Sequence, residues 1–193
     1  MTQTKTVLAF DPSMQYCGWA ILSLEENNEI KFVVAGVYNL NTKRDIEQVN
    51  RLFAAAVSGP LLGITWEHNP FNAAHGRSDE EGQVIRRGQS AAVGILRGLA
   101  MAHGAKLLKP VNGLSAKKHY AGHGRATKEQ IIGVTQTRFG ETLGEHACDA
   151  ISVGYTALLR YVEERDKPAK RLFVKKVKAK RKVKNGRVQS LPG

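Results

Sequence analysis

The chain has 193 residues, 42% of them hydrophobic and 24% charged, with 29 Lys and Arg against 17 Asp and Glu. This length supports one buried core of ordinary size, and the positive excess points to an acidic partner such as nucleic acid. The apolar content excludes a wholly disordered chain, two distant cysteines (Cys17 and Cys148) exclude a disulfide framework, and no apolar run is long enough for a membrane span.

Met1 to Phe10 holds one lysine and only four consecutive apolar residues, too few for a signal peptide, so a reducing, cytoplasmic setting is expected. Thr6-Val7-Leu8-Ala9-Phe10 reads as a buried strand with a carboxylate at its tip, because Asp11-Pro12 follows and proline cannot donate to a ladder. Residues 17–24 and 31–38 are strand-like and joined by the turn-rich Glu26-Asn27-Asn28-Glu29, which predicts an antiparallel meander of three strands. Over residues 45–57 the apolar positions Ile46, Val49, Leu52, Phe53 and Ala56 recur at three and four, the period of a helix packed on a sheet. Ser58-Gly59-Pro60 stops it.

Leu61-Leu62-Gly63-Ile64-Thr65-Trp66 is a second apolar strand that also ends on an acid, Glu67, before a polar loop over residues 68–79. A long helical pattern over 84–103, a short strand over 106–110, a helix over 127–139 opened by the capping box Thr127-Lys128-Glu129-Gln130, and a last helix over 146–165 complete the body. The layout is mixed α/β with a single sheet. Charge divides it from the rest: residues 165–193 contain 12 Lys and Arg with one acid, whereas residues 1–164 are almost neutral. Residues 1–165 are therefore expected to form one domain and 166–193 a basic arm, either disordered or, through the turn signal Asn185-Gly186, a small β-hairpin.

His146 and Asp149 lie three residues apart on the last helix and so share one face. Together with Asp11 and Glu67 they offer four oxygen or nitrogen donors from three elements. Crowded carboxylates raise one another's pKa unless a cation lies between them, so the set suits Mg²⁺ or Mn²⁺. Two such ions can activate water and stabilise a leaving oxygen at a phosphodiester. Spacing alone leaves the alternative open that Asp11 is a turn residue and His146 with Asp149 a surface pair.

Leu8-Ala9-Phe10-Asp11-Pro12-Ser13 followed by Cys17-Gly18-Trp19-Ala20 resembles the first-strand motif of the RuvC-type Holliday junction resolvases. Ile64-Thr65-Trp66-Glu67 is similar to the family's second acidic motif, and Gly88-Gln89-Ser90-Ala91 with Gly94 to its Gly-Gln helix. Gly122-His123-Gly124-Arg125-Ala126-Thr127-Lys128-Glu129-Gln130 and His146-Ala147-Cys148-Asp149-Ala150-Ile151 complete the set in the family's order. The resemblance runs from about residue 5 to 160. Ser13 departs from the usual glycine, and His146 stands where many members have Asp and others His.

What the resemblance implies is a ribonuclease H-like fold, a five-stranded sheet of order 3-2-1-4-5 flanked by helices, with the strands ending in Asp11 and Glu67 as neighbours. It further implies a homodimeric, metal-dependent endonuclease that resolves four-way DNA junctions by paired symmetric nicks, with two Mg²⁺ or Mn²⁺ ions per active site. Asp11, Glu67, His146 and Asp149 are then both the metal ligands and the catalytic residues. Phe71 is the candidate aromatic wedge at the junction centre, or else an anchor for its loop. Lys117, Lys118 and Lys128 match the region of basic side chains near the scissile phosphate, without deciding between Lys117 and Lys118. Arg77 in the same loop as Phe71 either grips phosphate or keeps that loop soluble. Gly122-x-Gly124 lacks the rest of a nucleotide-binding fingerprint.

The basic arm lies outside the resemblance and is expected to add grip without base specificity, with binding weakened about 10³ to 10⁵ between 50 and 200 mM salt if about six phosphates are neutralised. A bacterial or bacteriophage source is expected. The competing readings are an endonuclease of forks and flaps without strict junction preference, and a non-catalytic binder of branched DNA. A ribonuclease of RNA–DNA hybrids is allowed by the fold and disfavoured by the resolvase-type blocks.

Overall fold

Residues 4–68 and 79–167 are described by the structure, a computed structural model. Five strands, β1 (Lys5–Pro12), β2 (Cys17–Leu24), β3 (Ile30–Tyr38), β4 (Leu61–His68) and β5 (Val111–Asn112), form one sheet in the order β3-β2-β1-β4-β5. The helices are α1 (Lys43–Val57), α2 (Asp79–Ala102), α3 (Gly113–Ala121), α4 (Lys128–Phe139) and α5 (Glu145–Arg165). The compact unit that carries the sheet ends at Leu159, within α5, and Arg160–Gly193 form a separate unit of which residues 160–167 are described. Among the described residues no helix is long and apolar enough to cross a membrane. Cys17 and Cys148 are both buried free thiols.

The first three strands are the antiparallel meander that their turn residues predict, with Asn28 in the left-handed region at the β2–β3 hairpin. β1 is its inner member and pairs in parallel with β4 on the other side, from Thr6 against Leu61 to Phe10 against Trp66. Val7, Leu8, Ala9 and Phe10 are fully buried, so both faces of β1 are covered. Side chains alternate along a strand. Leu8 and Phe10 join Phe53 of α1 and Leu96 of α2 in one core, with the Phe10 and Phe53 rings stacked at 5.6 Å. Val7 and Ala9 point the other way, onto α5.

α5 reaches that second face through two close approaches. A methyl on Gly154 would run into Leu22 and Ala9, and one on Gly18 would occupy the space of the His146 carbonyl. Gly18 is the register partner of Asp11. The missing side chain at Gly18 is therefore what lets the start of α5 settle over the end of β1.

Five sequence expectations need correction, the first being the helix expected over 84–103, which runs from Asp79 to Ala102 because its acidic first turn carries no apolar repeat. Pro12 does not stand outside the ladder but is the last residue of β1, paired with Cys17. The β4 ladder stops at Phe10, so no neighbour on that side needs a proline N–H. The predicted strand at 106–110 is only an isolated bridge at Leu107, and the ladder with β4 forms beyond Pro110, where Val111 and Asn112 pair with Glu67 and His68. The Thr65 hydroxyl donates to the Lys109 carbonyl across the gap at 3.1 Å. α1 starts two residues earlier than its apolar spacing indicates, because Thr42 caps it by accepting from the Asp45 N–H. α3 is a helix that apolar spacing does not reveal, since its amphipathic pattern is weak, and Asn112 caps it. The capping box at Thr127 and Gln130 forms as expected.

Candidate active site

Asp11 lies near the end of β1 and Glu67 near the end of the adjacent β4, where alternation turns both toward the Ala9 and Thr65 side of the sheet. Both line a cleft of about 330 Å³ whose other wall is α2, contributed by Gln89, Ser90 and Arg97. α5 delivers His146 and Asp149 one helical turn apart. His146 Nδ1 donates to Asp11 Oδ2 at 3.1 Å, joining residues 135 positions apart in the chain. Both groups are largely covered, with 27% of the His146 and 15% of the Asp11 side chain exposed.

Charge at this point is unbalanced. The carboxyl of Asp149 is pushed up to about 6, first by burial and then by the negative charge of Asp11, with Lys117, His146 and Lys128 pulling in the opposite direction. The hydrogen bond to Asp11 raises the His146 imidazole above its ordinary value, reinforced by the charges of Asp11, Glu145 and Asp149 and opposed by desolvation. Asp11 and the imidazole thus meet directly, and burial together with the charge of Asp11 partly drives Asp149 to keep its proton.

Three carboxylates and one imidazole are donors of the chemistry Mg²⁺ and Mn²⁺ take, and the raised Asp149 carboxyl marks an excess of negative charge that a divalent cation would relieve. Among the described residues, no three His, Cys, Asp or Glu side chains stand close enough to hold one ion. His146 meets Asp11, Asp149 lies one turn further along α5 within electrostatic reach of both, and Glu67 shares the cleft with Asp11.

Of the basic candidates, Lys117 is half-buried and its charge reaches Asp149, whereas Lys118 is exposed and its carbonyl accepts from the Gly122 N–H that closes α3. Lys128, at the first turn of α4, bonds Glu145 Oε2 at 2.6 Å, which raises its pKa and lowers that of Glu145. α3, α4 and α5 are tied by the guanidinium of Arg138, which lies 5.6 Å from the ring centre of Tyr120 and 5.0 Å from that of Tyr155. Phe71, Arg77 and the arm at 168–193 lie outside the described residues.

Three neighbours of the site escape sequence reasoning. Tyr16 is 43% exposed, with its ring centre 6.1 Å from that of His146. It sits in the β1–β2 turn that Ser13 closes by donating to the Tyr16 carbonyl and accepting from the Tyr16 N–H. Arg97 shares a helix face with Gln89 eight residues earlier, a spacing that could have identified it. Glu145 precedes His146, with Oε2 2.6 Å from Lys128 Nζ.

No protein-family model matches the chain. The crossover junction endodeoxyribonuclease RuvC of Gluconobacter oxydans (strain 621H) is 30% identical over 129 residues, covering 65% of this chain and 71% of that protein. The same enzyme of Wolbachia pipientis subsp. Culex pipiens (strain wPip) is 30% identical over 132 residues, 65% of this chain and 74% of that protein. Among solved structures, T. thermophilus RuvC in complex with a Holliday junction substrate superposes with a TM-score of 0.57 at 19% identity, covering 78% of this chain and 91% of that one. That likeness establishes the fold: the five-stranded order 3-2-1-4-5 is the ribonuclease H-like arrangement.

Proposed function

Because the chain belongs to the RuvC family of crossover junction endodeoxyribonucleases, we propose that it resolves four-way DNA junctions as a homodimer, by divalent-metal-dependent hydrolysis of one phosphodiester in each of two strands. The observation that carries this reading is the meeting of Asp11 with His146, with Asp149 beside them lifted to about 6. A site so charged is costly on its own and becomes favourable with cations and a phosphate in it.

Asp11, Glu67, His146 and Asp149 would hold the ions, two per site. When bound, Mg²⁺ or Mn²⁺ supplies Lewis-acid polarisation of the phosphate and an acidified water. Asp11 Oδ2 fixes the imidazole by accepting from Nδ1, so the ring is oriented before substrate arrives. Lys117, half-buried toward Asp149, offsets negative charge where the phosphate must approach, and Lys128 does so from the start of α4. On the facing wall, Arg97 gives a cation to the DNA backbone. Phe71 is the proposed wedge, Arg77 and Lys118 are further phosphate contacts, and residues 166–193 act as an arm that grips DNA outside the 1–165 nuclease domain, with the salt dependence given above.

The test uses mobile four-way junctions of varied sequence with Mg²⁺ or Mn²⁺. Paired symmetric nicks abolished by EDTA are expected. Asp11→Asn should lower cleavage by about 10³-fold or more while junction binding is kept or tightened, because one negative charge leaves the phosphate site. Single nicks on forks or three-way DNA without junction preference would favour the general branched-DNA endonuclease. Binding with no divalent-dependent cleavage of any branched substrate would leave a non-catalytic binder.

A further inference from the structure

The turn between β1 and β2 reads Ser13-Met14-Gln15-Tyr16, four residues without a charge, and it follows directly on Asp11 and Pro12, which line the cleft. Phe10 before it and Cys17 after it are buried, yet its two large apolar side chains turn outward, Met14 at 49% and Tyr16 at 43% exposure. The Tyr16 ring lies 6.1 Å from that of His146, with 37° between the planes. Its hydroxyl accepts from the Gln15 side-chain amide at 3.3 Å, a contact at the surface. The turn itself is pinned. Ser13 ties its two ends together, the Asn41 side-chain amide donates to the Met14 carbonyl at 3.4 Å, and Met14 rests on Gly88 of α2, where a methyl group would collide with it. An exposed ring on a support already ordered binds without the cost of ordering it.

The surroundings decide which part of a DNA strand suits this ring. The turn has no cation to hold a phosphate, and the imidazole beside Tyr16 is bonded to the Asp11 carboxylate. Bases are the uncharged, flat surfaces of DNA, and each offers a face on which an aromatic ring stacks whatever the sequence. Tyrosine supplies such a face with few rotatable bonds to freeze. We infer that Tyr16 is a substrate-contacting residue whose ring stacks on the base of a nucleotide adjoining the scissile phosphate. The inference rests on the junction-cleaving reading of the site. It gives Tyr16 a task apart from the one proposed for Phe71, since it seats the strand being cut and does not open the crossover.

A tyrosine that merely screens the Asp11–His146 contact from water would, when removed, slow cleavage of every strand alike. The experiment therefore pairs protein and DNA changes: wild type, Tyr16→Ala and Tyr16→Phe act in Mg²⁺ on four-way junctions carrying an abasic site at each nucleotide around the nick in turn. On the intact junction Tyr16→Ala should raise KM about 5- to 50-fold, the effect of losing one stacked base, with Tyr16→Phe within about 2-fold of wild type. One abasic position should cost wild type a similar factor and cost Tyr16→Ala nothing further. In EDTA, 2-aminopurine at that position should be quenched on binding by wild type and Tyr16→Phe and stay bright with Tyr16→Ala. Equal abasic effects in wild type and Tyr16→Ala, or an unchanged KM in Tyr16→Ala, would overturn the inference while junction cleavage by wild type left the parent reading intact. A wild type indifferent to every abasic position would overturn it without any variant. Wild type that cleaves no four-way junction would defeat the parent reading, and this inference with it.

Discussion

α5 and α2 pack on opposite faces of the sheet, α5 against Val7 and Ala9 and α2 against Leu8 and Phe10, and they are anchored unequally. In α5 the residues around the two candidate ligands, Ala147, Cys148, Ala150 and Ile151, are at most 2% exposed, and the helix start is pressed on Gly18 without an intervening side chain. α2 is three residues longer but buries only Ala92, Leu96 and Ala100 among its described side chains, leaving Arg97 exposed. His146, whose ring meets Asp11, lies on the more deeply buried helix. Arg97 lies on the helix with the fewer buried side chains.

The contrast can be broken most forcefully at Gly18. Gly18→Ala puts a methyl into the His146 carbonyl, and backbone must move to accept it. A loss of about 2–4 kcal/mol in denaturant unfolding is expected, together with loss of the Asp11–His146 contact. A fully stable Gly18→Ala protein would show that α5 is not held as described.

Asp149 sharpens the comparison from the electrostatic side. In the fold its carboxyl stands at about 6 against an ordinary 3.8, so between these values the folded state keeps a proton that the unfolded chain has released. Stability therefore falls as pH rises across that window and stays reduced above it. In metal-free protein, Asp149→Asn should gain roughly 1–3 kcal/mol at pH 7.5 and lose that advantage by pH 4, as followed by melting curves at the two pH values. Mg²⁺ should stabilise the wild type at pH 7.5 and leave Asp149→Asn nearly unaffected.

The smallest effect belongs to α2. A methyl on Gly98 meets nothing within 4 Å, so Gly98→Ala should stabilise the protein by about 0.5–1 kcal/mol through helix propensity, read in the same unfolding assay. One extra carbon atom is thus expected to have opposite consequences at Gly18 and at Gly98.

Much of the fold is legible from local pattern. β2 and β3 stand out because apolar, β-favouring runs flank a turn-rich tetrad, and α4 because its capping box is written in four consecutive residues. Asp11 and Glu67 are legible as strand-end acids, and His146 with Asp149 as a one-turn pair. The weaker points share a cause, the dependence on partners distant in sequence. Residues 106–110 look like a strand, but proline breaks the run and β4 takes Val111 and Asn112 instead. Lys117 and Lys118 are adjacent and chemically equal, and only the placement of α3 beside α5 turns the first toward Asp149. Glu145 has no signal of its own beyond its place next to His146.

By itself the sequence determined the period and ends of most elements, the location of the positive charge, and the identity of the four candidate donors, because these follow from side-chain polarity and local backbone preference. Only the tertiary structure decided that Gly18 admits α5 against β1, that the imidazole lies between Asp11 and Glu145, and that the Asp149 carboxyl is forced upward. Each of these depends on distances between chain segments far apart in sequence, and such distances are set by packing rather than by any local run of residues.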